Sequence, residues 1–371
     1  MRKILRMYTL ILASIAMLIT PSLFASACTS AKAESGVIRA EAETYLASSP
    51  QWNITASALY LLLNDGDDSN DPFIVSVRQA SAYALGHIPG AINIGLSELA
   101  DADKLALLPT DKKIVVYCYT GHTGSQATAI LNMLGYDATN LKFGMTAWTH
   151  DTEVAPSRFN PETHRMDYSY ELTANTTTQT YSLPTIENTT SNDETEILIA
   201  AAEAYVTSSP SWNIKAADLY LLLNDGDDSN DPFILSVRQA SAYALGHIPG
   251  AVNIGLSALA DADNLAKLPT DKKIVVYCYT GHTGSQATAI LNLLGYDATN
   301  LKFGMTAWTE DTVVAPGAFN NATSSMTYTY ATGDSPEAEA ASEMDVLGDA
   351  AEIYLASSPQ WNITASALYL L

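Results

Sequence analysis

The chain repeats itself. Residues Trp52 to Tyr168 return as Trp212 to Tyr328 at a constant offset of 160, and residues 110–149 and 270–309 are nearly identical. A duplicated segment of this length must fold as a unit, so the chain is read as tandem domains. The boundaries fall at about 38–172 and 196–332. Segments 173–195 and 333–347, rich in Thr, Ser, Asn, Asp, Glu and Ala, read as mobile linkers. A third copy opens near Asp349 and stops at Leu371 inside its first helix, so 348–371 reads as a truncated third repeat.

Within one copy, strands and helices alternate. The pattern predicts helices over 56–63, 79–85 and 125–134, and strands over 73–77, 91–94, 114–117 and 140–143. The run Ile114-Val-Val-Tyr117 is apolar throughout, as a strand buried on both faces must be. Such alternation implies an α/β fold, a parallel sheet flanked by helices on both faces. Residues 166–170 alternate in polarity and could add an edge strand. The acidic turn 64–71 lacks the Gly and Glu placements of an EF-hand loop and reads as a solvated turn.

The leader points to export. Arg2, Lys3 and Arg6 precede a long apolar stretch, and small residues Ala25-Ser26-Ala27 precede Cys28. The tetrapeptide resembles a bacterial lipobox, which would make Cys28 a lipid-bearing first residue and attach the chain to a membrane. Ordinary signal cleavage after Ala27 or Ala33 is the alternative. Either route places the mature protein in the periplasm or cell envelope, with 1–33 as leader and start of linker. The net charge of −22 excludes nucleic acid as a partner.

With Cys28 in the leader, one cysteine remains per copy, Cys118 and Cys278. Each closes a buried strand and opens a Gly/Thr turn ahead of a helix. Ligands in parallel sheets bind at that edge. Gly121 and Gly124, with Gly281 and Gly284 in the second copy, let successive N–H groups point inward. That nest and the helix dipole stabilise an anion and favour a thiolate. The thiols are therefore nucleophile candidates rather than disulfide partners. A cysteine phosphatase would need Arg where Gly124 and Gly284 stand, and a disulfide oxidoreductase would need Cys at 121.

Three motifs in order resemble the rhodanese-like sulfurtransferases: Ser76-Val-Arg78 with Gly86-His87-Ile88-Pro89-Gly90-Ala91, then the loop Cys118-Tyr119-Thr120-Gly121-His122-Thr123, then Gly144-Met-Thr-Ala-Trp148. The second copy carries the loop as Cys278-Tyr279-Thr280-Gly281-His282-Thr283. The resemblance implies that Cys118 and Cys278 take a sulfane sulfur from a small sulfur-containing anion (polysulfide or thiosulfate) and pass it as a persulfide to a thiol, a protein or another thiophile, without metal or organic cofactor. Thr120, Thr123, Thr280 and Thr283 would donate hydroxyls to a bound oxyanion, with His122 and His282 at the mouth.

Two departures qualify the resemblance. The family's usual Asp is replaced by Ser76 and Ser236, so Arg78 and Arg238 lose an orienting acid and serve as support. The loop also carries no Arg or Lys, which favours polysulfide over thiosulfate as donor. A non-catalytic extracytoplasmic sulfur carrier or binding module is the alternative. His87 and His247 read as structural.

Overall fold

The computed structural model describes residues 27–48, 52–208 and 212–335, the first seven as backbone only. The part of the expected leader before residue 27 and the expected third repeat at 348–371 lie outside them, and Cys28 is among the seven.

Each repeat builds one five-stranded, all-parallel sheet. In the first, the strands are β1 (Asn53–Ile54), β2 (Phe73–Ser76), β3 (Ile92–Asn93), β4 (Ile114–Tyr117) and β5 (Ala138–Leu141), ordered β1-β5-β4-β2-β3. The second repeats the order with β6 (Asn213–Ile214), β7 (Phe233–Ser236), β8 (Val252–Asn253), β9 (Ile274–Tyr277) and β10 (Ala298–Leu301). The α/β fold is therefore as expected, with β5 two residues earlier than predicted and β1 unforeseen.

β4 is central, with Val116 beside Val75 on one side and Asn140 on the other. Its side chains alternate between two apolar layers: Ile114 and Val116 enter one, Val115 and Tyr117 the other. All four are fully buried, which explains the uninterrupted apolar run. The direction of strand addition reverses between β2 and β4, and Cys118 leaves the sheet at that C-terminal edge.

The two repeats exchange parts. The helix Ala27–Ala47 precedes the first repeat but packs on the Leu256–Ala258 turn of the second. The helix Glu194–Thr207 precedes the second repeat but packs on Leu96–Glu98 of the first. The segments after each domain also cross. Met166 and Tyr168 donate N–H groups to the carbonyls of Ala307 and Trp308, while Met326 and Tyr328 donate to Ala147 and Trp148. Residues 166–170 thus do not extend their own sheet, because their hydrogen-bonding partners belong to the other repeat.

Residues 173–195 are not a free linker. Tyr181 donates to Ala266 O at 2.7 Å, Asn175 donates to the Tyr243 hydroxyl at 3.1 Å, and Ile186 is buried. Glu34, 1% exposed, accepts N–H groups from Asn188 and Thr189 at 2.9 and 3.1 Å. Polar composition indicated mobility, but these backbone groups are spent on fixed partners.

Candidate functional site: two cysteine loops at one seam

Tyr117 ends β4 and Cys118 begins the loop. Cys118 is 4% exposed and its sulfur accepts the Gly121 N–H at 3.1 Å; Cys278 is 5% exposed and its sulfur accepts from Gly281 at 3.1 Å. The helix begins at His122, three residues earlier than predicted, and runs to Met133. The loop is accordingly only Cys118–Gly121, and the sulfur faces the first helical turn.

Gly121 is required twice over. Its φ of +85° is left-handed, and a Cβ there would lie 2.6 Å from His282 Nε2 of the other repeat. Gly124 sits inside the helix, where a Cβ would lie 3.2 Å from Cys118 N and 2.7 Å from Asn140 Oδ1. It serves close helix–strand approach rather than the curl expected of it. The loop is pinned from below, because Met145 and Thr146 donate N–H groups to Cys118 O and Tyr119 O at 2.9 and 3.0 Å.

His122 and His282 do not stand at a solvent mouth. They are 1% and 2% exposed and stack on each other across the seam. His122 Nε2 lies 3.2 Å from the Phe303 N–H and 3.1 Å from Thr280 O, both of the other repeat. Its Nδ1 lies 2.8 Å from Thr120 Oγ1, so ring and hydroxyl share one hydrogen bond. The arrangement is reciprocal: Phe143 N–H meets His282 Nε2 at 3.1 Å, and His282 Nδ1 meets Thr280 Oγ1 at 2.8 Å. Burial, assisted by Lys302, holds His122 down to about 3. Burial, His122 and Lys142 likewise hold His282 well below its ordinary value.

Arg78 is 3% exposed and turned to the scaffold. It donates to Gly86 O at 2.7 Å and to Ser76 Oγ at 3.2 Å, and lies over the rings of Tyr117 and Tyr119. Arg238 repeats this with Gly246 O and Ser236 Oγ at 2.6 and 3.4 Å. Serine thus accepts the contact that an acid would have taken. His87 and His247 donate from Nδ1 to Tyr83 O and Tyr243 O at 3.0 Å, consistent with a structural role. No group of His, Cys, Asp and Glu suited to a metal occurs among the described residues.

The sequence reading missed two lysines. A cleft of about 300 Å³ at Cys278 is lined by Tyr279, Thr280, His282 and Thr283, and by Asn53 and Lys142 of the first repeat. Lys302 of the second repeat lies within electrostatic reach of Cys118: burial lowers its ammonium below the ordinary value, the charge at Cys118 opposes this, and Lys215 adds to the lowering. The only sequence signal was a lysine after the fifth strand in both copies.

Comparison with known proteins agrees with this geometry. The family model described as Rhodanese-like domain matches residues 55–151 and 215–311. A sulfurtransferase of Allochromatium vinosum is 32% identical over 82 residues, 22% of this chain and 75% of that protein. Thiosulfate sulfurtransferase GlpE of Pseudomonas fluorescens is 31% identical over 90 residues, 24% of this chain and 81% of that protein. An HTH-type transcriptional regulator of Mycobacterium tuberculosis is 35% identical over 112 residues, 30% of this chain but only 47% of that protein, so the shared region spans about half the regulator. Two domains with the cysteine loop at the sheet edge define the class, and the chain belongs to the rhodanese-like domain family.

Proposed function

We propose that the chain is a sulfurtransferase with two persulfide-forming cysteines. One observation carries the reading: in both repeats the sulfur accepts a backbone N–H at 3.1 Å at the start of a helix, where negative charge is stabilised. In the first step the Cys118 or Cys278 thiolate attacks the outer sulfur of thiosulfate. A cysteine Sγ–S bond forms, the donor's S–S bond breaks, and sulfite leaves with the electron pair. In the second step a thiolate, cyanide or sulfite attacks the terminal sulfur and the cysteine thiolate is regenerated. Polysulfide serves as donor by the same exchange, leaving one sulfur shorter. Loop N–H groups and the Thr120 and Thr280 hydroxyls hold the persulfide charge.

The test is intact mass after incubation with thiosulfate or polysulfide. A gain of about 32 Da per active cysteine, lost in the Cys118→Ser/Cys278→Ser double variant, supports the proposal. No gain, or a gain that survives the double substitution, overturns it.

Export belongs to the same reading and is supported by the basic, then apolar, leader ending at Ala27-Cys28. Radiolabelled palmitate incorporated in a bacterial host and lost in Cys28→Ala identifies the lipid-anchored form; labelling unchanged by the substitution overturns it.

A further inference from the structure

The cysteine loops contain no cation. From Cys118 to Gly124 the only titratable base is His122, and it is buried and neutral. The whole chain carries −22 and repels an anion at long range. An anionic donor that reaches these sulfurs needs a local positive charge, and the fold supplies one from the opposite side of the seam.

We propose that the two sulfur sites are composite: Lys302 of the second repeat completes the Cys118 site, Lys142 of the first completes the Cys278 site, and each ammonium selects and positions an anionic donor. The proposal rests on the sulfur-transfer reading above.

Lys142 follows β5, and its N–H is fixed to Ile54 O at 2.9 Å. Its ammonium lies over the Phe143 ring, 5.2 Å from the centroid. The Phe143 N–H in turn binds His282 of the other repeat, so lysine, ring and foreign loop are held together. Lys142 then lines the Cys278 cleft beside Thr280 and Thr283. Lys302 has the same supports: its N–H to Ile214 O at 2.9 Å, its ammonium 5.3 Å from the Phe303 centroid, and the Phe303 N–H on His122. Among the described residues no carboxylate lies within ion-pair distance of either lysine. Both are half-buried, so their charge acts through less water than a surface lysine's would.

The sites are also unequal. Lys215 stands where the first repeat has Thr55. Thr55 caps the helix Ala56–Leu62 by accepting the Ala58 N–H at 3.2 Å, and Lys215 makes no such cap. The second repeat gives up a helix cap and gains a charge that acts on Lys302. The Cys118 site therefore has two cations near it, against Lys142 and a neutral threonine at the Cys278 site.

Alkylation reads this potential without any sulfur chemistry. In full-length single-cysteine forms (Cys278→Ser to read Cys118, Cys118→Ser to read Cys278), the rate with anionic iodoacetate is divided by that with neutral iodoacetamide. Lys302→Gln should lower this ratio at Cys118 by about three- to tenfold and leave Cys278 unchanged. Lys142→Gln should do the converse, and Lys→Arg at either position should preserve the ratio. The wild-type ratio should be higher at Cys118 than at Cys278. In turnover with thiosulfate the Gln variants should raise KM more than they lower kcat. Ratios unchanged by either substitution, or each lysine acting on the cysteine of its own repeat, overturn the proposal. If the ratio shifts while the wild type takes up no sulfur, the lysine assignment stands and the sulfurtransferase reading falls.

Discussion

His122 and His282 stack across the seam with ring centroids 5.3 Å apart and planes within 10°. Each Nε2 meets backbone of the other repeat, His122 the Phe303 N–H and Thr280 O, His282 the Phe143 N–H and Thr120 O. A second proton on either ring would put positive charge in a site with almost no water to solvate it, beside another buried imidazole.

That relationship makes the seam acid-sensitive. In the unfolded chain a histidine titrates near 6.5, whereas folding holds His122 near 3. Above pH 6.5 both states are neutral and the pair costs nothing. As pH falls below 6.5 the unfolded chain takes up protons that the folded chain refuses, so stability is lost progressively down to about pH 3. His122 alone should account for about 2 kcal/mol by pH 5. Thermal melts at pH 7.5 and 5 should show this loss, and His122→Gln should flatten it. A melt insensitive to pH over that range would mean that the rings are not held neutral.

Gly121→Ala should be far more damaging than its size suggests. Gly66 has nearly the same φ, +84°, but a Cβ there meets nothing within 4 Å, so Gly66→Ala isolates the backbone cost of about 1–2 kcal/mol. At Gly121 the added methyl also meets His282 Nε2 and Phe143 N at 2.6 and 3.0 Å. The extra loss, about 1–3 kcal/mol by denaturant unfolding, reports the cross-repeat contact. Equal losses at the two sites would remove it.

The sheet and the cysteine loop could be read in the sequence because their causes are local. β4 is apolar throughout because both its faces are covered, and Cys118 must follow it into a glycine turn. The helix start was placed late because Gly124 resembles a turn residue, although it sits in the helix to let the backbone approach Cys118. Lys142 and Lys302 were not legible: their position just after β5 and β10 is local, but the cysteine loop that each approaches is set by packing between repeats. The helices Ala27–Ala47 and Glu194–Thr207 escaped notice for a related reason. Their apolar residues face both repeats, so no single clean stripe appears in either segment.

Arg78→Lys should separate support from chemistry. The guanidinium is committed to Gly86 O, Ser76 Oγ and Val154 O, and a lysine cannot span all three. We expect a loss of about 2–3 kcal/mol in stability with sulfur loading per folded molecule unchanged. Loading that fails while the melting temperature holds would instead place Arg78 in contact with the donor.

The exchanged segments make a directional prediction. Tyr328 belongs to the second repeat by chain order, yet its ring stacks on Tyr60 at 3.9 Å and meets Trp148 at 5.0 Å, both in the first. Beside it, Trp148 Nε1 donates to Thr329 O at 2.8 Å. Tyr328→Ala should therefore loosen the first repeat, by about 2–3 kcal/mol in local opening. Hydrogen exchange should speed up around Tyr60 and Trp148 and stay slow around Tyr220 and Trp308. Tyr168→Ala should give the mirror result, because Tyr168 stacks on Tyr220 at 3.9 Å in the second repeat. If each substitution instead loosened the repeat in which it lies in the chain, the two segments would be packed at home and the crossed architecture would be wrong.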